Sequence, residues 1–341
     1  MTSEKIALPG IDADAVSTWF GRHVTGAEGP LHFELIAGGR SNLTYRVRDR
    51  AGGDWVLRRP PTGELLASAH DVVRESRVLE AIGSSPVPVP RVVGCCTDPA
   101  VTGADFYVMD YVAGVVVDGA ATAAEIDWDA RQVASTDIVD TLAAIHAVDT
   151  TTGPLAEYQR PGSYLERQLK RWSRQLAAGG ITSGPLLELR DILTREMPVQ
   201  RWTGLVHGDY RPGNLIIGPS DGRVRAVLDW ELWTVGDVLA DVGWLAAMWA
   251  SADVVGWSPD PADGFLDVDT ACARYADTTG RDLSALRYYH AFALWKLAAI
   301  AEGVYARFRD GAMGEQPPDL VTLLAQRPGL LAERARRTLA D

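Results

Sequence analysis

The sequence predicts an α+β protein of 341 residues, antiparallel β with one helix in its first third and mainly helical after that. Three observations predict it. Short alternating apolar runs bounded by glycine and proline turns occupy residues 33–111. Helical periodicity dominates from about residue 125. A single β-hairpin interrupts those helices at 215–228. The change of pattern near residues 112–114 divides the chain into parts 1–112 and 113–341.

Taken in order, residues 11–22 form a short helix with Asp12 and Asp14 at its cap and first turn. Runs at 33–37 and 44–48 flank a glycine turn, and a third strand at 55–58 follows the turn Ala51-Gly52-Gly53-Asp54. A helix spans 70–82, and Pro86, Pro88 and Pro90 bar it from continuing. Strands at 91–94 and 106–111 complete the β-rich part. Helices follow at 128–147, 163–178, 185–195, 238–250, 270–278 and 285–308, with another at the C-terminus. The hairpin pairs 215–217 with 224–228 through the loop 220–223.

Composition narrows the function classes. With 33 basic and 45 acidic side chains the formal charge is −12, which lacks the basic footprint of a nucleic-acid or anionic-membrane binder. The three cysteines include the adjacent pair Cys95 and Cys96, and none has metal-ligand spacing. They read as small buried hydrophobes of a reducing compartment. No apolar signal core opens the chain, and no apolar run is long enough to span a bilayer, so the expected location is the cytoplasm.

The most informative segment is His207-Gly208-Asp209, followed by Asn214 five residues after the aspartate and by Asp229 beyond the hairpin. Pairing Pro219 with Val224 would set Asn214 opposite Asp229. A carboxylate and an amide oxygen there suit Mg²⁺, which favours hard oxygen ligands together with substrate phosphates. Asp209, on the loop before the hairpin, is placed to accept a proton from an attacking hydroxyl. His207 reads as a residue that holds this loop by hydrogen bonds.

This pair of blocks resembles the catalytic and metal-binding loops of the aminoglycoside phosphotransferases, and it parallels the logic of protein kinases. The resemblance implies a protein-kinase-like two-lobed fold, with a nucleotide-binding lobe in 1–112 and a helical lobe in 113–341. It implies Asp209 as catalytic base, Asn214 and Asp229 as Mg²⁺ ligands, and ATP as phosphoryl donor.

The first part supports it. Glu75 lies on the apolar face of helix 70–82, among Val72, Val78, Leu79 and Ile82, and needs a cationic partner. The family pattern supplies a basic residue on the third strand, where this chain has Arg58 in place of lysine. Gly38, Gly39, Ser41 and Asn42 occupy the position of the nucleotide-covering loop, with glycines for close backbone approach and side chains that can donate to phosphate. The stretch Tyr107–Gly114 resembles the hinge, where the backbone of Asp110 and Val112 would bond the adenine edge. Asp237 and Asp241 read as structural support.

The resemblance implies an acceptor that is a small molecule bearing a hydroxyl. Arg167, Lys170, Arg171 and Arg174 form a basic stripe on helix 163–178, and Arg167 and Arg171 are the candidate acceptor contacts. This segment, with Val56–Pro61, looks like the kinase-like domain fused to some acyl-CoA dehydrogenases, which implies a hydroxyacyl-CoA or hydroxy acid before an aminoglycoside. A solvated basic face is the competing account of the stripe. An acidic loop with Asp260, Asp263, Asp267 and Asp269 points the other way, toward aminoglycoside amines. Two further functions compete with the kinase. One is a non-catalytic nucleotide- or ligand-binding module on the same fold, kept open by Arg58. The other is a metal-dependent hydrolase using His207, Asp209 and Asp229, which lacks further histidine ligands. The sequence carries no signal of oligomeric state.

Overall fold

The computed structural model describes residues 8–37, 42–62, 71–181, 184–309 and 318–340. The chain forms two compact units, one of Met1–Gly114 with Arg225–Trp233 and the other of Val115–Val224 with Thr234–Asp341. The sequence boundary near 112–114 left 225–233 in the second part, and the structure packs that segment with the first unit.

In the first unit α1 (Ala13–His23) is capped by Asp12, whose Oδ1 accepts the N–H groups of Asp14 and Ala15. A five-stranded antiparallel sheet follows, with β1 (His32–Ala37), β2 (Leu43–Arg48), β3 (Asp54–Arg59), β4 (Val92–Cys96) and β5 (Phe106–Asp110) in the order β1-β2-β3-β5-β4. Tyr45, Val47, Leu57, Phe106 and Val108 alternate onto one face and bury Trp19 and Phe20 of α1 against it. Cys96 is buried as expected, whereas Cys95 is exposed.

Helix α2 (Val72–Ile82) starts from Asp71, whose Oδ1 takes the N–H of Arg74. Residue 70, the expected start, lies outside the described residues. The returning segment is pinned to this unit at both ends. Val227 N–H donates to the Pro88 carbonyl at 2.8 Å. The Arg74 guanidinium bonds the Glu231 and Trp233 carbonyls and stacks 4.5 Å from the Trp233 ring.

The second unit is helical as expected, with Trp128–His146, Tyr164–Ala178, Pro185–Arg195, Leu239–Trp249, Val268–Thr279, Leu286–Arg309 and Pro318–Ala340 as its long helices. Thr203–Val206 and Thr234–Asp237 pair antiparallel, and the loop bearing Asp209 leaves the first of them.

The hairpin turn departs from the expected one. Gly218 N–H bonds the Arg223 carbonyl at 2.8 Å, so the loop is 219–222 and the closing pair is Gly218–Arg223, not Pro219–Val224. In this register Asn214 is not opposite Asp229. The shift has a local cause. Gly222 adopts φ 67°, and a Cβ there would lie 2.2 Å from the Ala130 carbonyl oxygen. Asp137 of the same long helix accepts from Arg223 Nη1 at 2.6 Å and Val224 N–H at 2.8 Å.

Gly222→Ala should therefore destabilise the fold by about 1–3 kcal/mol, from the left-handed φ and the close approach together. A urea-unfolding midpoint equal to that of the wild type would show that the turn can open without cost.

Candidate active site

In the first unit the expected partners meet. Glu75, 1% exposed, accepts from Arg58 Nε at 3.0 Å. The same guanidinium reaches Asp229 through Nη2. Burial works against the charge of Arg58, yet the carboxylates of Glu75 and Asp229 raise its pKa, so it stays a cation. Burial pushes the Glu75 carboxyl up, while Arg58 and the Tyr107 hydroxyl pull it back. Tyr107 sits opposite Arg58 in the β3–β5 register. Asp229 is the one non-glycine residue with positive φ among the described residues, at φ 63° and ψ 57°. Such a conformation tolerates Asp better than most side chains.

The glycine-loop positions Gly38, Gly39 and Ser41 lie outside the described residues. Asn42 is described and differs from expectation. Its Nδ2 is turned toward Glu75 Oε2 at 3.5 Å, and its Oδ1 is buried with no partner among the described residues, so the amide donor is engaged with the buried pair. Asp110 is also narrowed. Its N–H donates to the Arg91 carbonyl at 2.9 Å, and its carboxylate accepts from Arg91 Nε at 2.9 Å and Nη2 at 3.1 Å, so the expected backbone donor is already engaged. Val112 follows β5 and is half-buried.

In the second unit the loop is built around Asp241. Buried to 1% exposure, it accepts the N–H of His207 at 2.6 Å and of Gly208 at 2.8 Å. Desolvation opposes its charge, but His146 and these donors hold its pKa below the usual value. His146 is packed between Asp241 and the Tyr275 hydroxyl, and burial lowers its pKa against the pull of Asp241. His207 accepts the Asp209 N–H at Nδ1, 3.2 Å away, and so holds the loop as its sequence position suggested.

Both carboxylate oxygens of Asp209 are fixed. Oδ1 accepts from Trp244 Nε1 at 2.8 Å, and Oδ2 from Asn214 Nδ2 at 2.9 Å, with Arg211 Nε 3.5 Å away. Asn214 Nδ2 also bonds the Asp209 carbonyl at 2.8 Å, so the amide oxygen points away from the aspartate and is the end able to meet a cation. Trp244 and Lys296 were not legible as site residues. Lys296 is 9% exposed, donates from Nζ to the Gly208 carbonyl at 2.9 Å and lies 4.0 Å from the Trp244 ring centroid. Burial brings its pKa down to about 8. The available signal was a lone lysine in the apolar run 291–301.

The basic stripe is less uniform than its spacing suggested. Arg167 Nη1 donates to the carbonyls of Pro161 and Gly162, just before its own helix, whereas Arg171 is exposed. Two members of the acidic loop have local work. Asp267 caps helix Val268–Thr279 and Asp260 caps the turn after it.

Residues 32–278 match the phosphotransferase enzyme family, APH. The chain belongs to that family. Its fold is the kinase-like fold of that family. Acyl-CoA dehydrogenase family member 10 of Mus musculus is 35% identical over 295 residues, 84% of this chain and 27% of that protein. Acyl-CoA dehydrogenase family member 11 of Gallus gallus is 33% identical over 298 residues, 83% of this chain and 38% of that protein. The chain thus spans well under half the length of these curated relatives. Among solved structures, a candidate aminoglycoside phosphotransferase of Ralstonia eutropha JMP134 superposes with TM-score 0.80 at 29% identity, covering 96% of this chain and 98% of that one. Macrolide 2′-phosphotransferase MphH of Brachybacterium faecium shares the fold, with TM-score 0.59 at 22% identity and coverage of 96% and 98%. No helix among the described residues is long and apolar enough to cross a membrane.

The depressed pKa of Lys296 gives a signed prediction. Between about pH 8 and its ordinary value the folded chain binds fewer protons at this site than the unfolded chain. Its contribution to stability therefore rises with pH over that window, is fully present above the ordinary value and is lost as pH falls through 8. Urea midpoints of wild type and Lys296→Met, compared at about pH 7 and about pH 9.5, should move apart in favour of the wild type at the higher pH. A gap that does not change with pH would mean that the ammonium is not held in this strained state.

Proposed function

We propose that the protein is an ATP-dependent small-molecule kinase that transfers the γ-phosphoryl group of Mg-ATP to the hydroxyl of an anionic acceptor, a hydroxyacyl-CoA or hydroxy acid before an aminoglycoside. The observation that carries this reading is the fixation of Asp209. Its two oxygens are aimed by Trp244 and Asn214, which is how a general base is held within reach of one proton. In this role Asp209 orients the acceptor hydroxyl and takes its proton as the new bond forms at phosphorus. Arg58, kept charged by Glu75, is the cation for the donor phosphates. Arg167 and Arg171 remain candidate contacts for the acceptor's negative charge.

The donor set fits magnesium. A carboxylate at Asp229 and an amide oxygen at Asn214 are hard ligands, and so small a set suits an ion that keeps waters and substrate phosphates as its other ligands. When bound, magnesium neutralises charge on the phosphate oxygens. ATP as donor is supported by fold relatives such as the streptomycin–ATP complex of APH(2″)-IIa. The acyl-CoA link of the curated relatives supports the acceptor class.

One observation favours a second reading. Arg58 engages Asp229 as well as Glu75, so the guanidinium sits where a metal ligand is needed. A non-catalytic module that binds nucleotide without turnover fits that arrangement.

Two variants separate the readings. Asp209→Asn should leave nucleotide affinity intact and lower acceptor-dependent ADP release by roughly 10²–10⁴-fold; near-wild-type release would remove Asp209 from the role of base. Asp229→Asn keeps the left-handed backbone accessible and should abolish the magnesium dependence of nucleotide binding seen by calorimetry. If that dependence persists, Asp229 is not the metal ligand, and the non-catalytic module gains.

A further inference from the structure

Beside Asp209 the second unit contains a cavity of about 280 Å³. Arg211 forms the end nearest the catalytic loop, with its Nε 3.5 Å from Asp209 Oδ2. Met248, Trp257 and Leu297 give it an apolar wall, and each of them is half-buried. Arg327, from helix Pro318–Ala340, lines the same cavity.

The chemistry of Arg327 sets it apart. It is half-buried, and its guanidinium makes no hydrogen bond or ion pair among the described residues. The arginines that follow it on the same helix all have carboxylates. Arg334 pairs with Asp253, Arg336 with Glu188 and Arg337 with Glu333. Burial without a compensating anion pushes the Arg327 pKa down, the opposite of what a carboxylate neighbour does. Asp118 is the carboxylate on the cavity's rim. It is exposed, and its Oδ1 accepts from the Thr122 hydroxyl at 3.1 Å. A desolvated cation with five N–H donors and no partner among the described residues, at the border of an apolar wall, is matched by a carboxylate on an apolar chain.

We propose that this cavity is the acceptor subsite and that Arg327 binds the carboxylate of an amphiphilic hydroxy acid, whose apolar chain lies along Met248, Trp257 and Leu297 while its hydroxyl is presented at the Asp209 end. The proposal rests on the kinase reading and moves the recognition of acceptor charge from the helix Tyr164–Ala178 to the helix Pro318–Ala340. Arg211 borders both the cavity and the catalytic carboxylate, so it links acceptor binding to the position of the base.

The test uses the full chain and decanoate, an apolar acid with no hydroxyl to phosphorylate, so that binding is read apart from turnover. Calorimetry should show decanoate binding to the wild type, weakened about tenfold or more in Arg327→Gln, which loses a charge-assisted bidentate contact. Arg327→Lys should fall between the two, and Arg171→Gln should match the wild type. Decan-1-ol should show no dependence on residue 327. Equal decanoate affinity in wild type and Arg327→Gln, or no binding of decanoate to the wild type, overturns the subsite. So does a loss confined to Arg171→Gln, which returns the charge to the first helix. Binding of a non-hydrolysable Mg-nucleotide, measured on the same samples, reports on the kinase reading separately.

Discussion

The carboxylate of Asp241 accepts two successive backbone N–H groups while shut away from water, and the position of Asp209 follows from that contact. A buried carboxylate is costly unless its lone pairs are met. Here His207, Gly208 and His146 meet them. The Gly208 carbonyl on the other side of the same turn is taken by Lys296. The turn is thus gripped by an anion through its N–H groups and by a cation through its C=O. Trp244, on the same helix as Asp241, carries the grip forward to the Asp209 carboxylate. The proposed role of Asp209 needs a carboxylate held in one place, and a loop alone would not hold it.

The first unit solves a different problem with charge. One guanidinium, Arg58, lies between two carboxylates, and one of these is almost wholly buried. Arg58 cannot release a proton at any ordinary pH, unlike a lysine in the same place. Its planar fork can serve two partners at once, which is what brings Asp229 and Glu75 onto the same side chain. The departure from the family's lysine is therefore a change in geometry as well as in basicity.

Much of this was written in local pattern. The apolar neighbours of Glu75 required a cation, and Arg58 is there. The spacing from His207 to Asn214 describes a loop that closes on itself, and Asn214 does bond Asp209. What the sequence did not disclose depended on long-range packing. Lys296 and Trp244 reach the loop from helices far along the chain, and a lysine in a helical apolar run reads first as an exposed interruption. The Asn42 amide donates to Glu75, a residue 33 positions away, and nothing in its local sequence announces that contact. The hairpin register failed for a steric reason, since the long helix 128–146 comes too close to residue 222 for anything but glycine. The grouping of 225–233 with the first unit could not be seen from composition, because a backbone bond to Pro88 and the contacts of Arg74 on helix α2 decide it.

The left-handed backbone at Asp229 has a consequence for how this position can drift over time. Its side chain answers to chemistry and its main chain answers to sterics, and the residues that satisfy the second demand are few: glycine and asparagine lead, with aspartate close behind. A lineage that ceased to need the carboxylate would be drawn toward those two neighbours, both of which relieve the backbone without loss of fold. Aspartate at a site where decay is so easy is a mark that homologues can be sorted by: chains that keep it from those that have let it go.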